Sequence, residues 1–499
     1  MKYLINNIKI FFIAIFAICV SSCSDFLDKN PLDQISSETF WRNEKEVDMA
    51  LAGVYNRLNS WTFRHKDGSL DVMAGDAYGT VINLAQGLIE PTSGSIINTI
   101  YNDCYRGISS CNFFLDNVEN APLDPERIDV YKAEVYFLRA LFYFTLTEFY
   151  GGVPLYDHSV TIDEAIVKQS SKETVIAQVI SDLDFAIDHL DNISYSDGHA
   201  VKGSALTLKA KVLLHQGKWQ EAADVADEVI QDKIFTLHDD FRTLFLASGQ
   251  NDNPEIIFST RFLTPNFTSD LDIRFSWHGV LNPLQQLVDA YECTDGLPIT
   301  SSPLYDPSDW KLNRDPRLIM TIKEYGETAI NSAGEEVVFN YNNVSGTLYN
   351  PVKYCNWDAL PIDYSTQSEQ DWIHLRYADV LLMYAEAKNE VSGPDQSVYD
   401  AVNEVRTRTG VDMPELPLGL NKDEMRERIR NERRVEFALE GIRYSDVKRW
   451  KTIEDYVPTI QDPGGVMRMF DPSKHYLFPF PQSERDINPL LDQNPNYTQ

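Results

Sequence analysis

Residues 203–231 read GSALTLKAKVLLHQGKWQEAADVADEVIQ, and this stretch decides the fold. Leu206, Ala210, Leu213 and Leu214 recur at helical intervals and mark one apolar face. Gln216-Gly217-Lys218-Trp219 interrupts the pattern as a tight turn. Ala222, Ala226 and Val229 then line the face of a returning helix. Small alanines let two helix backbones approach, and the Trp219 ring fills the space beside them. One such pair leaves an apolar face uncovered, so the pattern requires further pairs stacked on it.

The unit resembles a tetratricopeptide repeat. Residues 377–409 offer a weaker copy, with Ala385 and Ala387 on one helix and Ala401 and Val405 on the next. Helical periodicity also marks 44–60, 101–119, 129–150, 172–191, 376–391, 396–409 and 421–440. Between about 235 and 370 it fails; Pro, Gly, Asn and Ser become frequent, and strand-like runs appear at 255–262 and 335–341. The expectation is a mostly α protein. A helical scaffold at 40–235 and 371–455 carries an irregular, loop-rich segment, 236–370, and an extended tail, 456–499.

The 499 residues include 75 acidic and 44 basic side chains, a formal net charge of −31. Such a field repels polyanions, which argues against nucleic acid and anionic membrane surfaces as partners. It suggests a neutral ligand unless local arginine clusters reverse the field. At 43% hydrophobic and 12% aromatic, the chain is far too apolar to be disordered. Residues 1–22, MKYLINNIKIFFIAIFAICVSS, combine Lys2 and Lys9 with an apolar run from Ile10 to Val20, too short to span a bilayer and suited to a secretory leader. Val-Ser-Ser-Cys at its end resembles a bacterial lipobox, which makes Cys23 the first mature residue and the site of lipidation. Its acyl chains tether the mature protein to a membrane without inserting it. Cys104 and Cys111 are too far apart to bridge if one helix holds both. A Cys293–Cys355 disulfide stays open, and no cysteine pair has zinc-site spacing.

Several stretches are more specific. SDFLDKNPLDQISSETFW (24–41) follows Cys23, then YRGISSCNFFLDNV (105–118), AEVYFLRALFYFTLTEFYGGVPLY (133–156) and NPLQQLVDAYECTDG (282–296). RDPRL (314–318), YADVLLMYAEAKNE (377–390), RERIRNERRVEFALEGIRYSDVKRW (426–450) and FPFPQSERDINPLLDQNPNY (478–497) complete the series. In that order they resemble the SusD/RagB family of outer-membrane lipoproteins. The resemblance implies a largely helical fold in which tetratricopeptide-like pairs support a less regular face. It also implies a binding protein rather than an enzyme, lipid-anchored at the surface of a Gram-negative cell. Such proteins bind a nutrient, usually a glycan, and lid a SusC-type TonB-dependent barrel. The residues leave two alternatives: a peptide-uptake lipoprotein of the same architecture, and a surface glycosidase.

No nucleophile elbow, metal-ligating histidine pair, phosphate loop or dinucleotide fingerprint is present. No catalytic, metal or cofactor residue is assigned beyond the lipid on Cys23. Two carboxylates at glycosidase spacing cannot be recognised among 75 acids. In 424–440, Glu424–Arg428, Arg428–Glu432 and Arg433–Glu436 have the spacing of side-chain pairs on a solvated helix face. Arg314-Asp315-Pro316-Arg317 is expected to fix a turn. Sugar recognition needs flat aromatic faces with amides, carboxylates or arginines around them. Trp41, Trp219, Trp372 and Trp450 fall in scaffold motifs, and Trp310 is expected to pack beside the RDPRL turn. The candidates are Trp61 with Arg64, Trp277 with Arg274 and His278 nearby, and Trp357 beside Asn356 and Asp358. Residues 71–98 resemble the region where the family often carries part of its sugar platform, but here they offer Asp76, Tyr78 and Asn83 instead of tryptophans. The simpler reading of each aromatic is a half-buried ring that packs a loop onto helices.

Overall fold

The computed structural model describes residues 40–64, 68–339 and 346–497; the leader, Cys23 and most of the 24–41 motif lie outside them. The long helices are α1 (Glu44–Tyr55), α2 (Ser95–Asn117), α3 (Pro125–Tyr150), α4 (Lys172–His189), α5 (Lys202–His215) and α6 (Trp219–Asp232). After the irregular segment come α7 (Tyr377–Ser392), α8 (Gln396–Arg406), α9 (Lys422–Glu436) and the short α10 (Arg443–Arg449). Side chains hold their starts. Asn43 accepts from the Glu46 amide, Ser171 from Thr174, and Asp395 from Ser397 and Val398.

Each helix from α2 to α8 packs on its neighbour, and α6 packs on α7 although residues 233–376 intervene in sequence. The helical stack is therefore continuous in space and interrupted only in the chain. The repeat behaves as its spacing predicts: Leu206, Ala210, Leu213 and Leu214 of α5 and Ala222, Ala226 and Val229 of α6 are buried. Trp41 and Trp372 are buried, while Trp219 and Trp450 pack half-buried against the same core. α2 and α3 approach closely at Gly107, where an added Cβ would stand 2.5 Å from the Phe142 ring. The scaffold is thus tetratricopeptide-like and mostly helical.

Strands are short and paired in twos. β2 (Ile256–Thr260) is wholly buried and runs antiparallel to β8 (Trp372–Arg376), with Thr260 opposite Trp372. β1 (Ala77–Gly79) pairs with β3 (Leu281–Pro283), β4 (Ile322–Glu324) with β7 (Tyr349–Pro351), and β5 (Thr328–Ile330) with β6 (Glu336–Val338). Cys104 and Cys111 share α2 as free buried thiols, and Cys293 and Cys355 are free and buried as well, so no bridge joins them.

The charged run of α9 is not a solvated face. Glu432, Arg433 and Glu436 are buried. Their partners come from distant segments rather than from the next helical turn. Arg317 Nη1 donates to Glu432 at 2.6 Å and Glu436 at 2.7 Å. Arg376 Nη1 donates to Glu436 at 2.7 Å and Glu255 at 2.8 Å, and its Nη2 to Glu440 at 2.8 Å. Arg406 reaches Glu432 at 2.7 Å and Glu292 at 3.0 Å. Arg408 pairs with Glu255 and Glu436, and Lys353 donates to Glu440 at 2.6 Å. Arg428 turns to Glu292 at 2.7 Å, and Glu424 instead caps its own helix with Asn421. The RDPRL segment does turn on Asp315, which accepts the Arg317 amide at 2.9 Å, but it also delivers Arg317 into the network.

Ions this deep lose several kcal/mol of hydration each, so they persist only when every partner is present. Burial drives the Glu436 carboxyl upward, yet Arg408, Arg376 and Arg317 outweigh it and hold the group well below the ordinary carboxylate range. Glu436→Ala should therefore cost about 3–5 kcal/mol in urea unfolding, because three guanidiniums lose their counter-charge. Glu427→Ala removes an exposed pair with Arg430 (3.2 Å) and should stay within about 0.5 kcal/mol.

Candidate functional site

A short π-helical segment, Asp272–Trp277, carries the most aromatic part of the irregular face. π-turns are costly in isolation and concentrate at functional sites. Asp272 pins this one: it is buried and accepts from the Asn356 amide at 2.6 Å, Ser368 at 2.7 Å and Gln370 at 2.8 Å. Beneath lies a small second core of Ala329, Phe339, Val352, Cys355 and Ile362. Trp277 rests on it with its ring perpendicular to Tyr364, 85° at 4.6 Å between centroids. Tyr364 is 74% exposed, and the His278 ring stands 5.4 Å from it at 87°. Three residues before Trp277, the Arg274 guanidinium lies 4.8 Å from the Trp61 ring, which is 37% exposed. Burial and then Arg274 lower the His278 pKa, which favours a neutral ring able both to donate and to accept.

Arg274 thus links Trp61 to the π-helical segment that carries Trp277, and Tyr364 joins Trp277. No periodicity or motif announces Tyr364; it sits in an exposed Asp363–Thr366 turn. The other sequence candidates hold the fold. Arg64 is buried, donates to the Thr268 carbonyl and lies 4.7 Å from the Phe262 ring, clamping the 262–270 loop. Asp76 is buried under two arginines, 2.5 Å from Arg434 and 3.1 Å from Arg443, so its carboxylate is already occupied. Tyr78 is half-buried on β1 opposite Asn282. Trp357 is wedged on the second core between Arg242, 4.5 Å from its ring, and Lys323 at 5.6 Å. Its indole Nε1 is buried without a hydrogen-bond partner. Trp310 packs edge-on to Tyr349 at 5.2 Å, and its carbonyl accepts from Arg314.

A separate cavity of about 190 Å³ lies inside the scaffold between α2, α3, α5 and β8, with mostly apolar walls and Trp61 at one end. Its polar corner is Glu148, which accepts from His215 Nδ1 at 2.6 Å. Burial opposes ionisation of Glu148, but His215, Lys172 and Lys448 prevail and bring it down to about 2.

The SusD family model matches residues 248–497, and a SusD-like model described as starch-binding and associating with the outer membrane matches residues 25–214. The chain belongs to the SusD family. SusD-like protein P25 of Formosa agariphila is 27% identical to it over 98% of each chain. Starch-binding protein SusD of Bacteroides thetaiotaomicron is 23% identical, over 78% of this chain and 76% of its own. Among solved structures, a SusD-like carbohydrate binding protein from Bacteroides fragilis superposes with a TM-score of 0.81 at 26% identity, covering 91% of this chain and all of its own. A laminarin binding SusD-like protein gives a TM-score of 0.70 at 25% identity, covering 92% of this chain and all of its own. Among the described residues, no helix of this SusD-family protein is long and apolar enough to cross a membrane.

Two stability experiments separate surface from support. Trp357→Ala should lower stability by about 1–3 kcal/mol, less than a fully buried tryptophan, whereas Tyr364→Ala should leave the melting temperature unchanged. Because the Glu148 pKa is depressed in the folded state, its contribution is present above the ordinary value of 4.5 and is lost as pH falls towards 2. In acid titrations followed by near-ultraviolet circular dichroism, Glu148→Gln should flatten the stability loss in that window relative to the wild type.

Proposed function

We propose that this chain is a cell-surface glycan-binding lipoprotein, anchored through lipid on Cys23, that captures oligosaccharides for a SusC-type TonB-dependent barrel and performs no chemistry on them. The observation that carries the reading is the right-angled pair of Trp277 and Tyr364, flanked by His278, Arg274 and Trp61. A sugar ring offers an apolar C–H face to an aromatic plane and a rim of hydroxyls to donors and acceptors. Two rings at 85° form a corner that can cover one sugar face and one edge. Arg274 and His278 offer donors and acceptors for the hydroxyl rim. The starch- and laminarin-binding relatives support carbohydrate as the ligand class.

Binding rather than turnover suits this geometry. A ligand held beside a transporter entrance acquires a high effective concentration there, so modest intrinsic affinity is enough. Tethering through lipid keeps that concentration at the membrane while leaving the helical scaffold in water.

On a panel of neutral oligosaccharides measured by calorimetry, Trp277→Ala and Tyr364→Ala should each weaken the best ligand about tenfold, near 1.4 kcal/mol. Equal affinity in wild type and both variants would remove this surface as the binding site. Release of new reducing ends from the panel would instead favour a glycosidase.

A further inference from the structure

A groove of about 480 Å³ runs between α2, the loop around Pro154–Ile166 and the C-terminal segment, and a pocket of about 180 Å³ adjoins it at residues 56–60. Arg57 and Arg106 line both. Among the described residues neither has a carboxylate within ion-pair distance; Arg57 Nε donates to the Ser110 hydroxyl at 2.8 Å. Both arginines are exposed. Another arginine-lined groove differs, because Arg434 and Arg443 there share Asp76.

The remaining lining is suited to a polyol. Tyr105 and Tyr156 stand 5.9 Å apart, and their hydroxyls are tied to the carbonyls of Pro154 (2.7 Å) and Ala165 (2.8 Å), which fixes both rings. In the smaller pocket, Asn59 Oδ1 and Ser60 Oγ are sheltered from solvent and lack a hydrogen-bond partner. An acceptor in that state seeks a hydroxyl donor. Two acids share the space: Asp103, which accepts from the Thr62 amide at 3.1 Å and hydroxyl at 2.8 Å, and Glu484 in the larger groove. In the smaller pocket alone, two guanidiniums stand against one carboxylate, that of Asp103.

We propose that these adjoining grooves form a second glycan site, separate from the Trp277–Tyr364 surface, that takes a sugar residue bearing a carboxylate or sulfate ester. Guanidinium forks bind either anion in two-point contacts, which a neutral sugar cannot match. Asn59 and Ser60 take hydroxyls of the same residue, and Tyr105 and Tyr156 take its apolar faces. The overall acidic field opposes anions at long range, so selectivity arises from close contact. The inference rests on the glycan reading above.

The test is calorimetry at low ionic strength with a sulfated galactan oligosaccharide, the same oligosaccharide after chemical desulfation, and an oligogalacturonate. The wild type should bind one charged ligand about tenfold more tightly than the desulfated one, and which of the two it prefers assigns sulfate or carboxylate. That preference should fall below about twofold in the Arg57→Gln/Arg106→Gln double variant and survive in Trp277→Ala. Equal wild-type affinity for charged and desulfated ligands, or an undiminished preference in the double variant, overturns the second site alone. Failure of every oligosaccharide to bind overturns both readings together.

Discussion

Glu432, Glu436 and Glu440 place three carboxylates along one buried edge of α9 and its continuation, and four arginines and a lysine from separate stretches of chain must converge on them. This requirement shapes the rest of the molecule. Arg317 and Lys353 belong to the irregular segment, Arg376 to β8, and Arg406 and Arg408 to α8 and the residues after it. Because the ions share partners, moving any one stretch strands several charges in a low-dielectric interior, and the cost rises steeply with displacement. Apolar packing alone tolerates small slips; a shared ionic lattice does not. The network therefore ties the loop-rich segment to the helical stack at several points at once.

That placement is what makes a binding surface possible on irregular chain. Loops present functional side chains well but hold them poorly unless a scaffold positions them. Here the helical stack supplies the floor, the ion lattice locks the segment, and Asp272 with its three donors fixes the π-turn that aims Trp277 and Arg274. Trp61 meets Arg274 from the helical side, just after α1 and its 3₁₀ extension. The Arg274–Trp61 contact thus joins two parts of the fold that the chain keeps about 200 residues apart. Membership of the SusD family accounts for the architecture, while the proposed ligand contacts belong to this local set of rings and donors.

The contrast between arginines is informative. Six guanidiniums, those of Arg317, Arg376, Arg406, Arg408, Arg433 and Arg449, are held inside by Asp379, Asp446, Glu386 and the α9 carboxylates. Arg57 and Arg106 have no such role, and they flank sheltered acceptors and fixed tyrosines. Two exposed guanidiniums beside unsatisfied polar atoms form an arrangement that folding alone does not require.

Much of the architecture was legible in sequence because helical amphipathicity is a local property. Leu206, Ala210, Ala222 and Ala226 repeat at the helical period, and each falls in the core. Trp41 and Trp372, inside recognisable motifs, are core residues too. The site was legible only in part: Trp61, Trp277, Arg274 and His278 stand out by residue type, but nothing local distinguishes them from Trp357, Arg64 or Asp76, which the fold consumes. The charge pattern of α9 misleads for the same reason. Spacings of three and four residues describe who could pair along one helix, whereas burial against Arg317, Arg376 and Arg406 decides who does. Sequence by itself determined the periodic elements and the overall charge, since those depend on neighbours within a turn or two. Tertiary structure alone decided which charges are buried and which rings are exposed, because desolvation and pairing depend on residues that meet only after the chain has folded.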